Sequence, residues 1–185
     1  KANSEIIAKT LHKQLSGLGM PKARLQFAIK ESDKLSALGA DSIELLFGAN
    51  TGEDLLPLHK VASGGELSRI ALAFKSVFNT GNDKTLVFDE IDVGISGDIA
   101  LQVAAKIQQI SRHNQVFCIT HLPQTASIAD HHYHISKREE DGRTISSVRP
   151  LSDDEHVAQI ARMMSGNSFS KTAEETAREM IAHFK

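Results

Sequence analysis

Four short clusters of residues have the types and spacing to do chemistry. The first is Ala62-Ser63-Gly64-Gly65-Glu66-Leu67-Ser68-Arg69. Ser63 and Glu66 have the spacing of a capping box, in which the serine hydroxyl serves the third helical N–H and the glutamate returns to the serine N–H. A cap alone has no use for two glycines, each worth about 1 kcal/mol of lost helix propensity in a helix interior. A helix start that an anion approaches closely does, because the free N–H groups and the helix dipole favour negative charge there. The spacing fits phosphate binding and an ordinary capped turn alike. The second cluster, Thr85-Leu86-Val87-Phe88-Asp89-Glu90, is an apolar run ending in two acids. At the tip of a strand Asp89 can hold Mg²⁺, directly or through water, and Glu90 can act as base toward a water. The plain alternative is a strand meeting solvent.

The third cluster, Ile91-Asp92-Val93-Gly94-Ile95-Ser96-Gly97, reads as a loop with glycine at both turns. Its spacing is wrong for the Gly-x-Ser-x-Gly of a nucleophile elbow. The fourth is Thr120-His121, after the next apolar run. A lone histidine is usually a satisfied polar residue, but His121 would share a sheet edge with Asp89 and Glu90.

The elements that must position these groups follow from periodicity. A helix over 64–79 presents Leu67, Ile70, Ala71, Phe74 and Val77 on one face, ended by Gly81. Thr85–Phe88 and Gln115–Thr120 are continuous apolar runs, the pattern of buried parallel strands, with a helix over 97–111 (Ile99, Val103, Ile107 and Ile110 inward) between them. This β-α-β unit predicts an α/β fold with a parallel sheet. Upstream, Ile7, Leu11, Leu15 and Leu18 give a helix over 4–17, either a plain amphipathic helix or the end of a coiled coil. Ala23–Ile29 and Ser42–Phe47 read as half-exposed strands joined by a polar loop over 30–41. Downstream come a short helix over 122–129 and a hairpin of His132–Ser136 with Thr144–Val148 around Asp141-Gly142. Two helices, started by Ser152 and by Ser170, complete the chain.

The 185 residues are 41% hydrophobic and 24% charged, which suits a packed domain rather than a disordered chain. The formal net charge of −2 is not that of a basic nucleic-acid coat. No run approaches the roughly 18 apolar residues of a membrane span. The single cysteine, Cys118, excludes an intrachain disulfide and fits a reducing cytoplasm. Cys118 reads as inert core. His131, His132 and His134 lack a third ligand for a metal and read as surface residues. Lys137, Arg138 and Arg143 read as a solvated hairpin tip.

Taken in order, the four clusters resemble the C-terminal half of an ABC-type ATPase head, with Ser63-Gly64-Gly65-Glu66 as the signature motif. Thr85–Asp89 resembles Walker B, with Glu90 as the catalytic glutamate that follows. Val93–Gly97 resembles the D-loop, with Gly94, Ser96 and Gly97, and His121 resembles the switch histidine. The wider wording of these segments resembles the RecN family, SMC-like ATPases of bacterial double-strand-break repair. So does that of Gly19-Met20-Pro21-Lys22-Ala23, Ile119–Gln124 and Ile160–Gly166.

The resemblance implies an α/β fold that is the C-terminal half of a P-loop NTPase head, with a parallel sheet core, flanking helices and a small antiparallel portion. It implies ATP and Mg²⁺ as cofactors, with Asp89 toward the metal. Ser63, Gly64, Gly65 and Glu66 would cover nucleotide held by a second head. Glu90 would direct the attacking water, and His121 would touch the γ-phosphate. No Gly-x-x-x-x-Gly-Lys-Ser/Thr occurs in the chain. Within the resemblance, the P-loop belongs to an N-terminal lobe joined through a long coiled coil. The expectation is therefore that residues 1–18 end a coiled-coil or connecting helix and 19–185 form the lobe, inactive as an ATPase alone. Its partners would be the N-terminal lobe, a second head and, through the full-length protein, DNA, with no membrane. A head lobe of another ABC or SMC ATPase, or a non-catalytic dimerisation module, are the alternatives.

Overall fold

In the computed structural model, residues 2–37, 39–78, 84–140, 142–166 and 170–185 are described. The chain folds as two compact units, Lys1–Ile119 and Thr120–Lys185.

The first unit opens with α1 (Ala2–Ser16), whose stripe of Leu11 and Leu15, continued by Leu18 beyond the helix, is fully or almost fully buried. This helix packs on β1 (Arg24–Ser36) and on a later helix, α3 (Gly64–Val77). β1 pairs antiparallel with β2 (Gly39–Gly48), and β2 pairs briefly with β3 (Leu56–Pro57). The expected polar loop over 30–41 is instead the far end of this hairpin. Its backbone stays paired through Glu31↔Asp41, shifts register between Glu31 and Ser36, and closes at Ser36↔Gly39. Backbone pairing needs no apolar alternation, so polar residues beyond the covered face can carry a ladder that the sequence pattern hides.

A short α2 (Leu58–Val61) leads to α3 (Gly64–Val77). Then β4 (Thr85–Asp89) pairs in parallel with β5 (Gln115–Ile119), connected through α4 (Gly97–Ser111). The β-α-β unit is present as expected. Asn79 and Gly81, the expected end of α3, lie outside the described residues, and the helix is described to Val77. Within α3 the inward residues are Gly65, Arg69, Ile70, Leu72 and Ala73, whereas Leu67 is 46% exposed and Ala71 is exposed. In α4, Val103, Ile107 and Ile110 are inward but Ile99 is 37% exposed. A 3.6-residue period marks an apolar face without saying how far round it the neighbours reach.

The two strands are not buried on both faces. Phe88 is 5% exposed, but Val87, Phe117 and Ile119 on the opposite face are 63%, 48% and 48% exposed. Helices α3 and α4 pack against β4 and β5. One face of the ladder is thus covered and the other is bare, although the apolar run suits cover on both.

The second unit comprises α5 (Pro123–Ser127), a hairpin of β6 (Tyr133–Glu140) and β7 (Arg143–Pro150), α6 (Asp153–Ser165) and α7 (Lys171–His183). The hairpin is longer than its apolar residues suggested, and Asp141 lies outside the described residues. Ser152 and Glu155 complete a capping box on α6, and Ser170 caps α7. Ala126, Val157, Ile160, Ala161, Ala177 and Ile181 form this unit's core. No helix among the described residues is long and apolar enough to cross a membrane.

Candidate nucleotide site

The start of α3 is a formed capping box. The Glu66 N–H donates to Ser63 Oγ at 3.3 Å, and Glu66 Oε2 accepts from the Ser63 N–H and hydroxyl, each at 2.8 Å. Ser63 and Gly64 are exposed, while Gly65 is buried. The glycines differ in what they face. A Cβ on Gly64 would come no nearer than 3.7 Å to Glu90 Oε2. A Cβ on Gly65 would lie 3.2 Å from the carbonyl oxygens of both Glu90 and Val93 and 3.3 Å from Arg69 Nη1. Gly65 therefore has a packing role that the sequence alone does not disclose: it lets α3 close on the turn after β4.

That turn carries the acids. Asp89 ends β4, opposite Ile119 at the end of β5, so both strands finish at one edge. Asp89 and Glu90 are exposed. Glu90 has φ of 55°, and among the described residues no other non-glycine has a positive φ. An L-residue in the left-handed region costs about 1–2 kcal/mol, so surrounding contacts must hold it. The Val93 N–H closes the turn on the Glu90 carbonyl at 3.2 Å.

From α3, Ser68 Oγ donates to the Asp89 carbonyl at 3.0 Å. Arg69 Nη1 donates to the carbonyls of Ile91 at 3.2 Å and Val93 at 2.9 Å. Arg69 is 6% exposed and Asp92 is fully buried. Burial lowers the Arg69 pKa, while the negative charges of Glu66 and Asp92 oppose that shift. A guanidinium stays charged in any case, so it must be held by acceptors, here carbonyls of the turn. Sequence reasoning passed over Arg69. The available signal was an arginine beside Ile70 on the inward side of the helix, where a charge needs a partner.

Gly94 and Gly97 both have positive φ, 76° and 56°, so this loop uses them for backbone conformation. Ser96 stands at the N-cap of α4 but makes no side-chain cap bond. Ser63, Gly64, Gly65, Glu66, Asp89, Glu90, Gly94, Ser96 and Gly97 all belong to the first unit. His121 belongs to the second, two residues beyond β5 in sequence, and is exposed.

Cys118 is partly buried rather than core, and burial foremost, with Asp92 and Asp89 adding to it, pushes its thiol up to about 12, which disfavours the reactive thiolate. His132 is not a free surface residue: its ring stacks edge-on against His156 at 4.9 Å. Arg138 pairs with Glu140 at 3.0 Å on the exposed hairpin.

No family model matches the chain. The chain is 45% identical over 179 residues to the DNA repair protein RecN of Deinococcus radiodurans, covering 97% of this chain and 31% of that protein. It is 41% identical over 191 residues to the RecN of Bacillus subtilis, covering 95% and 33%. It spans about a third of the length of these curated relatives. Among solved structures, the Smc head domain with a coiled coil and joint from Pyrococcus yayanosii matches with a TM-score of 0.56 at 24% identity, over 86% of this chain and 29% of that one. The fold is therefore that of an SMC head. Along almost all of its own length, and over about a third of theirs, the chain is similar to the DNA repair protein RecN of these bacteria.

Proposed function

We propose that this chain is the nucleotide-closing lobe of an SMC-like ATPase head, acting within a longer protein in DNA double-strand-break repair and recombination. One observation carries the reading: a glycine-paired helix start and a left-handed glutamate meet inside one folded unit, with Gly64 facing Glu90 Oε2. An exposed helix start suits a phosphate, and an acid held in a strained turn beside it suits a water-directing base. The relatives' names support the setting in DNA repair.

On this reading ATP rests on the P-loop of an N-terminal lobe and is covered by Ser63, Gly64 and Gly65 of a second head. Glu66 shapes that helix start. Glu90 orients the attacking water and takes its proton, and His121 contacts the γ-phosphate. Gly94, Ser96 and Gly97 shape the loop facing the partner head. Asp89 fits Mg²⁺, because that ion takes one or two protein carboxylates and completes its shell with water and phosphate oxygens. Mg²⁺ held there would supply charge neutralisation for the transferred phosphoryl group. The bare face of Val87, Phe117 and Ile119 suits coverage by the N-terminal lobe. Residues 1–18 then end the returning coiled-coil arm, and DNA is engaged through the full-length protein in the bacterial cytoplasm, at the nucleoid.

The test is Glu90→Gln in the full-length protein. Loss of a general base lowers kcat by about 10²–10⁴, and ATP-bound dimer should accumulate by light scattering. Unchanged turnover with no trapped dimer would overturn the assignment.

A further inference from the structure

We propose that Arg69, with Ser68, is a positioning residue for hydrolysis: it locks the turn after β4 so that Glu90 keeps its left-handed backbone and its carboxylate keeps its aim. The inference rests on the reading of Glu90 as the water-directing base.

Four contacts converge on five residues. Ser68 holds the carbonyl of Asp89, Arg69 holds those of Ile91 and Val93, and the Val93 N–H holds that of Glu90. Three of the four bonds come from Ser68 and Arg69, successive residues of α3, two of them from one guanidinium nitrogen. Gly65, one turn earlier, leaves no gap on that side, since even a methyl there would press on the carbonyls of Glu90 and Val93. The turn also supplies the buried Asp92, whose negative charge favours the charged guanidinium. Glu90 is exposed and its own backbone conformation is unfavourable, so its side chain has no dense packing to fix it. The direction of Cα–Cβ at residue 90 is then set by the carbonyls on either side of it, and these answer to α3. Arginine suits this place because one planar nitrogen can reach two carbonyls at once; a lysine ammonium is a point donor on a flexible stem.

The experiment uses the full-length protein, with Arg69→Lys and Ser68→Ala made alone and in the Glu90→Gln background. Steady-state ATP turnover, single-turnover rate and ATP-dependent dimer formation are measured. Each single variant is expected to lower kcat, Arg69→Lys by about tenfold or more and Ser68→Ala by a few-fold. The KM for ATP and the dimer fraction should stay within about twofold, because a misaimed base slows the chemical step without removing nucleotide contacts. In the Glu90→Gln background the same changes should cost less than twofold, since nothing is left to aim. A merely structural role predicts the opposite: lost dimer, raised KM and equal losses in both backgrounds. Should Arg69→Lys fail to fold, Ser68→Ala alone carries the comparison. Wild-type kcat in the folded single variants overturns the positioning role while Glu90 stands, if Glu90→Gln is itself slow. Wild-type turnover in Glu90→Gln overturns the base and the positioning role together.

Discussion

Replacing Gly65 by alanine is expected to loosen the first unit, whereas the same change at Gly64 is not. At Gly65 the new Cβ would stand 3.2 Å from the Glu90 and Val93 carbonyl oxygens and 3.3 Å from Arg69 Nη1. All three neighbours must give by a few tenths of an ångström, and two of them are backbone. They belong to a turn that the Val93 N–H and the Arg69 guanidinium already fasten. Overpacking of this kind costs about 1–3 kcal/mol. The gain in helix propensity on leaving glycine is at most about 1 kcal/mol, and less in a first turn. The expected net loss is about 1 kcal/mol or somewhat more, which for a chain of this size lowers Tm by roughly 2–4 °C per kcal/mol. At Gly64 the Cβ would lie 3.7 Å from Glu90 Oε2, an ordinary contact. Gly64→Ala should therefore leave stability within about 0.5 kcal/mol of wild type, yet weaken ATP-dependent dimerisation of the full-length protein by crowding the phosphate approach. Urea unfolding of the two variants, followed by circular dichroism and by amide exchange at residues 91–94, separates the effects. Gly65→Ala matching or exceeding Gly64→Ala in midpoint and protection would refute the close approach of α3.

The 185-residue chain alone should show no ATP turnover above background, and Glu90-dependent hydrolysis by it would contradict the need for a P-loop lobe. Phe117→Thr should raise the solubility of the chain while lowering its recovery in a pull-down with the N-terminal lobe; unchanged recovery would mean that the bare β4–β5 face is not that interface. Acid should weaken the second unit through its histidine pair. Burial first, then His156 and His134, hold His132 down to about 4, and burial also lowers His156, with Lys185 adding to it. Both rings are easier to protonate in the unfolded chain, so their stabilising effect is complete above about pH 6.5 and is lost as pH falls from there toward 4. The loss amounts to about 1–2 kcal/mol after allowing for solvent at half-buried rings, and in His132→Phe the slope of stability against pH between 4 and 6.5 should flatten.

Local signals were legible where a side chain acts on its own segment. The capping boxes at Ser63 and Ser152 mark the starts of α3 and α6 because a serine and a glutamate three residues on close the box without help from elsewhere. The acid-tipped strand and its parallel neighbour were legible because two short apolar runs with an amphipathic helix between them have few other ways to fold. What escaped depended on partners distant in sequence. The polar stretch from Lys30 to Asp41 pairs through backbone groups, which every residue type carries. Whether Leu67 or Ile99 lies under a neighbour depends on how far the neighbour extends. Gly65 read as a ligand feature, since nothing in the sequence announces that the carbonyls of Glu90 and Val93 will press against it. His132 read as a surface ring because its partner, His156, lies on another element.

The formed cap also sets a condition on nucleotide engagement. Ser63 is committed before any phosphate arrives: its N–H and hydroxyl serve the Glu66 carboxylate, and its oxygen accepts from the Glu66 N–H. A phosphate at the same helix start competes with a carboxylate of like charge. The bonds to the Glu66 carboxylate are themselves charge-assisted, as a bond to phosphate would be, each about 1.5–3 kcal/mol. The exchange is therefore close to balanced, and on the proposed reading a single helix start holds nucleotide weakly. Strong closure requires the other contacts, from a P-loop and a metal-bound phosphate, to act at the same time. On the proposed reading, a helix start of this design would hold a bare anion poorly and a nucleotide already seated on another lobe well, which is the property that a clamp closing on ATP needs.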